Sequence, residues 1–141
     1  MTAILNILHI EDNEGDVGLV ERALDSWRVS CKLQVAYNGF QAMELLHKPG
    51  NRRPDIIFLD INMPGMDGKK FLAARKADPE LVLIPTIMLT SSAAPSDIRE
   101  CYALHANAYV VKPFDAHAFI EVVRQIVAFW SDAARLPTQS W

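Results

Sequence analysis

The sequence predicts an α/β domain in which helices cover both faces of a parallel sheet. Short apolar runs alternate with longer amphipathic ones along the 141 residues. The clearest run, Ile-Ile-Phe-Leu at residues 56–59, is apolar throughout, which is typical of a strand covered on both sides. Alternating strands and helices favour a parallel sheet. We therefore predict one doubly wound (βα)5 domain, a sandwich of three layers.

Five short apolar segments are predicted to form the strands. Amphipathic segments separate them, and most of them stop at a polar residue. Pro85 stands near the start of the fourth segment, one of the few places where a strand tolerates a proline. The five predicted strands are residues 4–10, 33–36, 56–59, 84–89 and 108–111.

The segments between the strands carry apolar residues at helical spacing. Asn13 and Asp115 stand where a side chain can cap the first and the last helix. Pro95 suits the first turn of the fourth helix, because the N–H that it lacks has no partner there. The five predicted helices begin near residues 13, 38, 68, 95 and 115.

Composition excludes several classes of protein. Half of the residues are apolar and 22% are charged, which argues against a disordered chain. The net charge of −3 favours neither nucleic acid nor an anionic membrane as a partner. Cys31 and Cys101 have no metal-ligand spacing, so a reducing compartment is the simplest interpretation. We find no secretory signal and no apolar run of about 18 residues, and we expect a cytoplasmic protein without a membrane span.

Polar residues follow four of the five predicted strands. Glu11 and Asp12 follow the first strand, Asp60 the third, and Lys112 the fifth, while Thr90 ends the fourth. Open α/β sheets bind ligands outside the carboxyl ends of their strands. We therefore expect three carboxylates, a hydroxyl and an ammonium group to meet at one edge of the sheet.

This set of groups suits a magnesium-dependent reaction at phosphorus. Clustered carboxylates repel one another unless a cation neutralises them, and Mg²⁺ prefers oxygen ligands. Asp12 and Asp60 can each supply a carboxylate oxygen, the residue 62 carbonyl another, and Glu11 a contact through water. An aspartate held beside Mg²⁺ can act as a nucleophile on phosphorus. Thr90 and Lys112 are suited to hold the transferred phosphoryl oxygens.

Four motifs resemble the receiver domain of two-component response regulators. They are Glu11-Asp12, Asp-Ile-Asn-Met-Pro-Gly-Met-Asp-Gly at 60–68, Thr90-Ser-Ser and Tyr109-Val-Val-Lys-Pro. The resemblance spans about residues 4–130 and implies the flavodoxin-like strand order 2-1-3-4-5. It also implies a receiver domain at residues 1–130 and a C-terminal tail or arm at 131–141.

The resemblance assigns a role to each residue at the strand ends. Asp60 would accept a phosphoryl group from a histidine kinase, and Thr90 and Lys112 would contact it. Glu11, Asp12, Asp60 and Asn62 would serve Mg²⁺. Thr90 and Tyr109 would form the switch, and the peptide bond before Pro113 would be cis. The protein would catalyse only its own phosphorylation and dephosphorylation, and is otherwise no enzyme.

A narrower resemblance concerns the input and the assembly. The segments His-Ile-Glu-Asp-Asn-Glu-Gly-Asp at 9–16 and Ala-Asn-Ala-Tyr at 106–109 are similar to those of regulators paired with phytochrome-type kinases. The resemblance implies a kinase such as a bacteriophytochrome as the partner. Those are stand-alone receivers, often dimeric. We expect a homodimer through the fourth helix, fifth strand, fifth helix and tail, and no direct binding of nucleic acid.

The tail allows two interpretations. Phe129, Trp130, Leu136 and Trp141 place apolar side chains at and beyond the end of the last helix. Such bulk is seldom left exposed as one patch on a monomer. The tail either packs on a second subunit as an arm or folds back on its own domain.

Two other functions compete with phosphorylation signalling. A phosphatase or phosphotransferase with an aspartyl nucleophile would use a second acid two residues after that nucleophile, and this chain has Asn62 there. A receiver-like module could also act by contact alone, without phosphorylation. The joint presence of Asp12, Asp60, Thr90 and Lys112 argues against the second alternative.

Overall fold

The structure, a computed structural model, describes residues 4–138 and contains one five-stranded sheet. All neighbouring strands are parallel, in the order β2-β1-β3-β4-β5. The predicted fold class and strand order are thus confirmed. The strands are β1 Leu5–Ile10, β2 Cys31–Ala36, β3 Ile56–Leu59, β4 Thr86–Thr90 and β5 Ala108–Val111.

Five helices alternate with the strands. Side chains cap four of them: Asn13 and Asp115 as predicted, together with Asn38 and Asp67. Pro95 opens the remaining helix. The helices are α1 Glu14–Leu24, α2 Gly39–His47, α3 Gly68–Lys76, α4 Pro95–Ala103 and α5 Ala116–Ala128, with a 3-10 turn at Leu81–Leu83 and a π turn at Phe129–Ala133.

The sheet separates two apolar cores. On one face, α2, α3 and α4 cover side chains such as Leu59 and Met88. On the other face, α1 and α5 cover Phe58, Ile87 and their neighbours. Strands β1, β3 and β4 are almost wholly buried. This burial on both faces explains why their sequences are continuously apolar rather than alternating.

Strand β4 begins two residues later than predicted. The chain first makes the 3-10 turn at Leu81–Leu83, and Pro85 lies between this turn and the strand. Proline has no N–H for the ladder, so pairing starts at Thr86. Strand β2 differs in the other direction, because it begins at Cys31 rather than residue 33.

A buried arginine connects three segments at the amino-terminal side of the sheet. Arg75 of α3 is 1% exposed. Its guanidinium donates to the carbonyl oxygens of Val82 and Ile84, to that of His105, and to Asn107 Oδ1. Burial lowers the pKa of Arg75 to about 10, so it remains charged at neutral pH.

The chain after α5 folds back on its own domain. The π turn contains the predicted boundary at residue 130/131, and Leu136 is 1% exposed in the α1–α5 core. Arg28 pairs with Asp132, and the Thr138 hydroxyl donates to Asp55. Leu136 thus follows the second interpretation of the tail, because it gains its burial within the same chain. A contribution of the tail to a homodimer stays a prediction. Trp141 lies outside the described residues.

Residues 4–138 include no helix with the length and hydropathy that crossing a bilayer requires.

Candidate functional site

A cleft of about 440 Å³ opens at the carboxyl edge of the sheet. It lies over the ends of β1, β3, β4 and β5, where the sequence analysis expected a site. Its walls contain five of the predicted site residues. The lining residues are Asp12, Asn13, Asp16, Asp60, Asn62, Ser91, Lys112, Pro113 and Phe114.

Three carboxylates meet beneath this cleft. One ligand oxygen each from Glu11, Asp12 and Asp60 lies within 4.8 Å of the others. The sheet ladder determines this arrangement, because Asp60 N donates to Ile10 O at 3.1 Å, directly beside the end of β1. Glu11 is fully buried, Asp60 is 6% exposed, and Asp12 faces solvent. The cluster therefore combines two sheltered carboxylates with an accessible one.

The donor set fits a hard divalent cation. Carboxylate oxygens are the ligands that Mg²⁺ takes in proteins, and the exposed Asp12 leaves a path from solvent. Burial raises the pKa of Glu11 to about 8, against the opposing effect of Lys112. A cation would offset the unfavourable burial of this charge. Asn62 is exposed at the cleft wall, where its carbonyl group can join the set.

Asp60 is held in place by its own loop. One carboxylate oxygen, Oδ1, accepts a hydrogen bond from Ile61 N at 2.9 Å. The other, Oδ2, lies 3.6 Å from Lys112 Nζ. Gly68 passes so close behind Asp60 that a Cβ there would overlap the carbonyl oxygen of Asp60. The absence of a side chain at Gly68 therefore allows α3 to begin directly against the strand end.

Lys112 reaches into the cluster from the end of β5. Its ammonium group donates to Glu11 Oε1 at 2.6 Å and to Asp16 Oδ2 at 2.7 Å. Burial alone would lower the pKa of Lys112, but its contacts with Asp16 and Glu11 outweigh burial and raise it. Lys112 is thus a fixed positive charge within the acidic cluster.

Thr90 and Tyr109 lie on the neighbouring strands β4 and β5. Thr90 is fully buried, and within residues 4–138 its hydroxyl oxygen has no hydrogen-bond partner. The Tyr109 hydroxyl donates to Ser92 O at 2.9 Å, two residues beyond Thr90. Burial raises the pKa of Tyr109. The two predicted switch residues are therefore linked through one short segment.

The prediction of a cis peptide bond before Pro113 is wrong for this structure. None of the peptide bonds described for residues 4–138 is cis, and the one between Lys112 and Pro113 is trans. The trans form is favoured by about 0.5–1 kcal/mol even before proline. In this form the lysine backbone N–H still donates to Thr90 O at 2.8 Å, and its ammonium group reaches Glu11 and Asp16.

Asp16 is the one cleft carboxylate that the sequence analysis did not assign to the site. An acid in the first turn of a helix is favourable for the helix dipole alone, so the place of Asp16 in α1 does not by itself indicate a site residue. The spacing held a signal, because Asp16 lies only four residues after Asp12, in the first turn of the helix that follows it.

Comparisons with known proteins agree with this geometry. The model of the response regulator receiver domain matches residues 7–124. Response regulator Rcp1 of Synechocystis is 34% identical over 135 residues, which cover 93% of this chain and 92% of Rcp1. A crystal structure of Rcp1 in its Mn²⁺-bound form superposes with a TM-score of 0.88 at 33% identity, covering 95% of this chain and 99% of that one.

Two further structures are those of a phytochrome and a bacteriophytochrome response regulator. The phosphorylated cyanobacterial phytochrome response regulator RcpA has a TM-score of 0.92 and 35% identity, covering 96% of this chain and all of RcpA. The bacteriophytochrome response regulator AtBRR has a TM-score of 0.72 and 31% identity, covering 94% of this chain and 99% of that chain. Motifs, fold and relatives agree, and the chain belongs to the response regulator receiver domain family.

Proposed function

We propose that this response regulator accepts a phosphoryl group on Asp60 from a sensor histidine kinase. The observation that carries the proposal is the position of Asp60. Its carboxylate faces the cleft, lies within 4.8 Å of two further acids, and has the Lys112 ammonium group 3.6 Å away. The nucleophilic carboxylate of Asp60 thus has two acids suited to bind a cation on one hand, and an ammonium group suited to bind a phosphoryl oxygen on the other.

The transfer exchanges one bond at phosphorus for another. A carboxylate oxygen of Asp60 attacks the phosphorus of the kinase phosphohistidine and forms a P–O bond. The P–N bond breaks, and its electron pair remains on the imidazole nitrogen. Hydrolysis regenerates the free Asp60 carboxylate. Water attacks phosphorus, the P–O bond to Asp60 breaks with its electron pair left on the carboxylate, and inorganic phosphate departs while a proton of the water passes to solvent. The protein catalyses only these two steps of its own cycle.

Glu11, Asp12, Asp60 and the Asn62 carbonyl would hold the Mg²⁺ ion. When bound, the ion supplies charge neutralisation for the phosphoryl oxygens. The donor chemistry of the cluster supports this assignment, as does the Mn²⁺-bound form of the relative Rcp1. Lys112 contributes a second positive charge 3.6 Å from Asp60 Oδ2, where it can bind a phosphoryl oxygen.

Thr90 and Tyr109 would convert phosphorylation into a change of surface. A phosphoryl group adds about −1.5 to −2 charge and three acceptor oxygens. The Thr90 hydroxyl is buried without a partner among the described residues, so a new acceptor nearby would attract it. Tyr109 bonds to Ser92, so a shift of the segment after Thr90 would be transmitted to β5 and α4.

We further propose a phytochrome-type kinase as the source of the phosphoryl group, in the cytoplasm. Similarity to RcpA, Rcp1 and AtBRR supports this input. The surface of α4, β5 and α5 would form a homodimer, since Tyr102 and Val111 are exposed there at 49% and 40%. No direct contact with nucleic acid is proposed.

Intact mass after incubation with Mg²⁺ and acetyl phosphate tests the assignment of Asp60. Wild type should gain one phosphoryl adduct that hydroxylamine removes, and Asp60→Asn should gain none. The matched control is Asp67→Asn, because Asn also caps helices and Asp67 serves as the cap of α3; this variant should be phosphorylated like wild type. An equal adduct on Asp60→Asn would refute the assignment.

The same samples separate the contact-only module from a receiver that signals by phosphate. Titration with Mg²⁺, compared with Asp12→Ala, should show binding that this variant weakens. A folded wild-type protein with neither an adduct nor Mg²⁺ affinity would favour the contact-only module. A sizing column run before and after phosphorylation then tests the proposed homodimer.

A further inference from the structure

Lys112 lies closer to Asp16 than to the proposed phosphoacceptor. The ammonium nitrogen is 2.7 Å from Asp16 Oδ2 and 3.6 Å from Asp60 Oδ2. The first distance is that of a charge-assisted hydrogen bond, and the second is too long for one. The side chain of Lys112 is only 10% exposed and that of Asp16 24% exposed, so water screens this pair only in part.

The start of α1 determines where Asp16 points. Asn13 caps the helix by accepting a hydrogen bond from the backbone N–H of Asp16 at 3.0 Å. This bond fixes the backbone of Asp16 one turn beyond Asp12 and leaves its carboxylate free to face the cleft. The carboxylate lines the cleft, where Lys112 reaches it.

Glu11, the second partner of Lys112, also contacts other groups. Its Oε1 accepts from Lys112 and its Oε2 from Asn13 N at 3.3 Å, and it also belongs to the acidic cluster. Asp16 is not part of that cluster. A cation bound by the cluster would compete with Lys112 for Glu11, whereas Asp16 would remain available to the lysine.

We propose that Asp16 is a positioning residue that holds the Lys112 ammonium group away from Asp60 and thereby limits how readily Lys112 contacts the incoming phosphoryl group. This inference rests on the proposed phosphorylation of Asp60. Asp16 competes with the phosphoryl oxygens for one ammonium group, so removing its charge releases Lys112 toward the reaction. The rate of phosphorylation is then set in part by an acid that touches neither the acceptor nor the cation.

Phosphorylation kinetics with acetyl phosphate at saturating Mg²⁺ provide the first test. Asp16→Asn should be phosphorylated about threefold to tenfold faster than wild type; tenfold corresponds to about 1.4 kcal/mol, within the strength of one charge-assisted hydrogen bond. Asp16→Glu keeps the charge and should restore a rate close to wild type. Glu14→Gln removes a charge from the same turn at an exposed residue and should leave the rate unchanged.

A double-mutant cycle tests whether Asp16 acts through Lys112. In a Lys112→Ala background, Asp16→Asn should no longer change the phosphorylation rate. A general loosening of the site would not accelerate the reaction, and it would not depend on Lys112. No acceleration in Asp16→Asn, or the same acceleration with and without Lys112, would overturn the inference.

Urea unfolding in the absence of Mg²⁺ tests the pair without relying on phosphorylation. Asp16→Asn should lower the unfolding midpoint more when Lys112 is present than in a Lys112→Met background. The difference between the two shifts measures the pair, because the effect of Asp16 on its own helix is common to both and cancels. Additive shifts would overturn the pairing of these two residues. Coupling in urea in a wild-type protein with neither an adduct nor Mg²⁺ affinity would instead count against the proposed function, and with it against the kinetic role of Asp16.

Discussion

His9 is a buried histidine on the strand that leads into the acidic cluster. It is 1% exposed, its ring packs edge-on against Phe58 at 6.1 Å, and neither ring nitrogen has a hydrogen-bond partner within residues 4–138. Burial, reinforced by the nearby charge of Lys112, lowers the pKa of His9 to about 3. The imidazole is therefore neutral in the folded protein at physiological pH.

Stability should fall as the pH falls below about 6.5 because of this one residue. The unfolded chain binds a proton at His9 near pH 6.5, whereas the folded protein does not until about pH 3. Between pH 6 and 4, the free energy of unfolding should fall by about 1.4 kcal/mol per pH unit more in wild type than in His9→Leu. Urea unfolding without Mg²⁺ measures this slope. The exposed His117→Leu is the control, and a wild-type slope equal to that of His9→Leu would contradict the prediction.

Single residues of the site could be predicted from the sequence where the sheet itself places them. Asp12, Asp60 and Lys112 follow strands of one parallel sheet, so topology brings them together. Which carboxylates Lys112 contacts could not be predicted, because its flexible side chain can reach several of them. One of its partners, Asp16, lies 96 positions away in the sequence. The trans peptide bond before Pro113 likewise departs from the family expectation.

The connection from β3 to α3 leaves no room for a side chain at Gly68, the first residue of α3. A Cβ at Gly68 would overlap the carbonyl oxygen of Asp60 and come within 2.9 Å of Ile61 Cα. Both neighbours are backbone atoms, so they cannot move aside by changing a rotamer. The geometry of Asp60 therefore depends on a glycine eight residues later.

Gly68→Ala should destabilise the protein by about 1–3 kcal/mol, the usual cost of overpacking, and should slow phosphorylation of Asp60. Gly18→Ala is a matched control, because it lies within α1 and a Cβ there has no atom within 4 Å. The control should be neutral or slightly stabilising, as alanine favours helix over glycine. Chemical denaturation and adduct formation measure the two effects. Equal stability of both variants would show that the backbone at residues 60–61 can shift to accommodate a Cβ at residue 68 without loss of stability, which would contradict the prediction.

The buried guanidinium of Arg75 connects α3 to the segments before β4 and β5. Arg75→Met would leave several backbone carbonyls without a donor, at a cost of about 1–3 kcal/mol for each group that water cannot reach. We expect a total loss of about 2–4 kcal/mol in the free energy of unfolding. Lys76→Met also replaces a positively charged side chain by methionine, but at the exposed neighbouring residue. It should change the free energy of unfolding by less than about 0.5 kcal/mol. Similar losses in both variants would contradict the role of Arg75.

The order and type of the elements could be predicted because apolar spacing and capping residues agree along the chain. Boundaries were less predictable where an interaction from elsewhere decides them. Strand β4 begins at Thr86, whose N–H donates to Asn107 Oδ1, and Arg75 holds the same oxygen. Neither partner is visible in the local sequence around residue 86.

At the scale of the whole molecule, the chain after α5 contributes to the core. The interpretation as an arm followed from apolar bulk near the carboxyl end, and the sequence pattern could not say which surface covers it. Arg28 and Arg124 both lie over the Trp27 ring, and Arg28 also pairs with Asp132. The Arg28–Asp132 pair joins the π turn to the segment between α1 and β2, and Leu136, three residues beyond that turn, packs into the core of its own domain.

Leu136→Ala should therefore lower the free energy of unfolding by about 2–4 kcal/mol, as expected for a buried leucine. Leu83→Ala, the same change at a residue that is 51% exposed, should cost clearly less. Urea denaturation of dilute protein makes the comparison free of association. If Leu136→Ala were as stable as wild type but more monomeric on a sizing column, the tail would act between subunits after all.

The guanidinium of Arg75 also anchors the chain at the carboxyl end of α4. It holds the carbonyl of His105, just beyond the carboxyl end of α4, and ties it to the segment before β4. The opposite end of α4 begins at Pro95, a few residues after the segment that links Thr90 to Tyr109. A displacement that starts at the proposed phosphoacceptor would therefore rotate α4 about its carboxyl end, which Arg75 holds in place. Motion should be largest near Pro95 and smallest near His105.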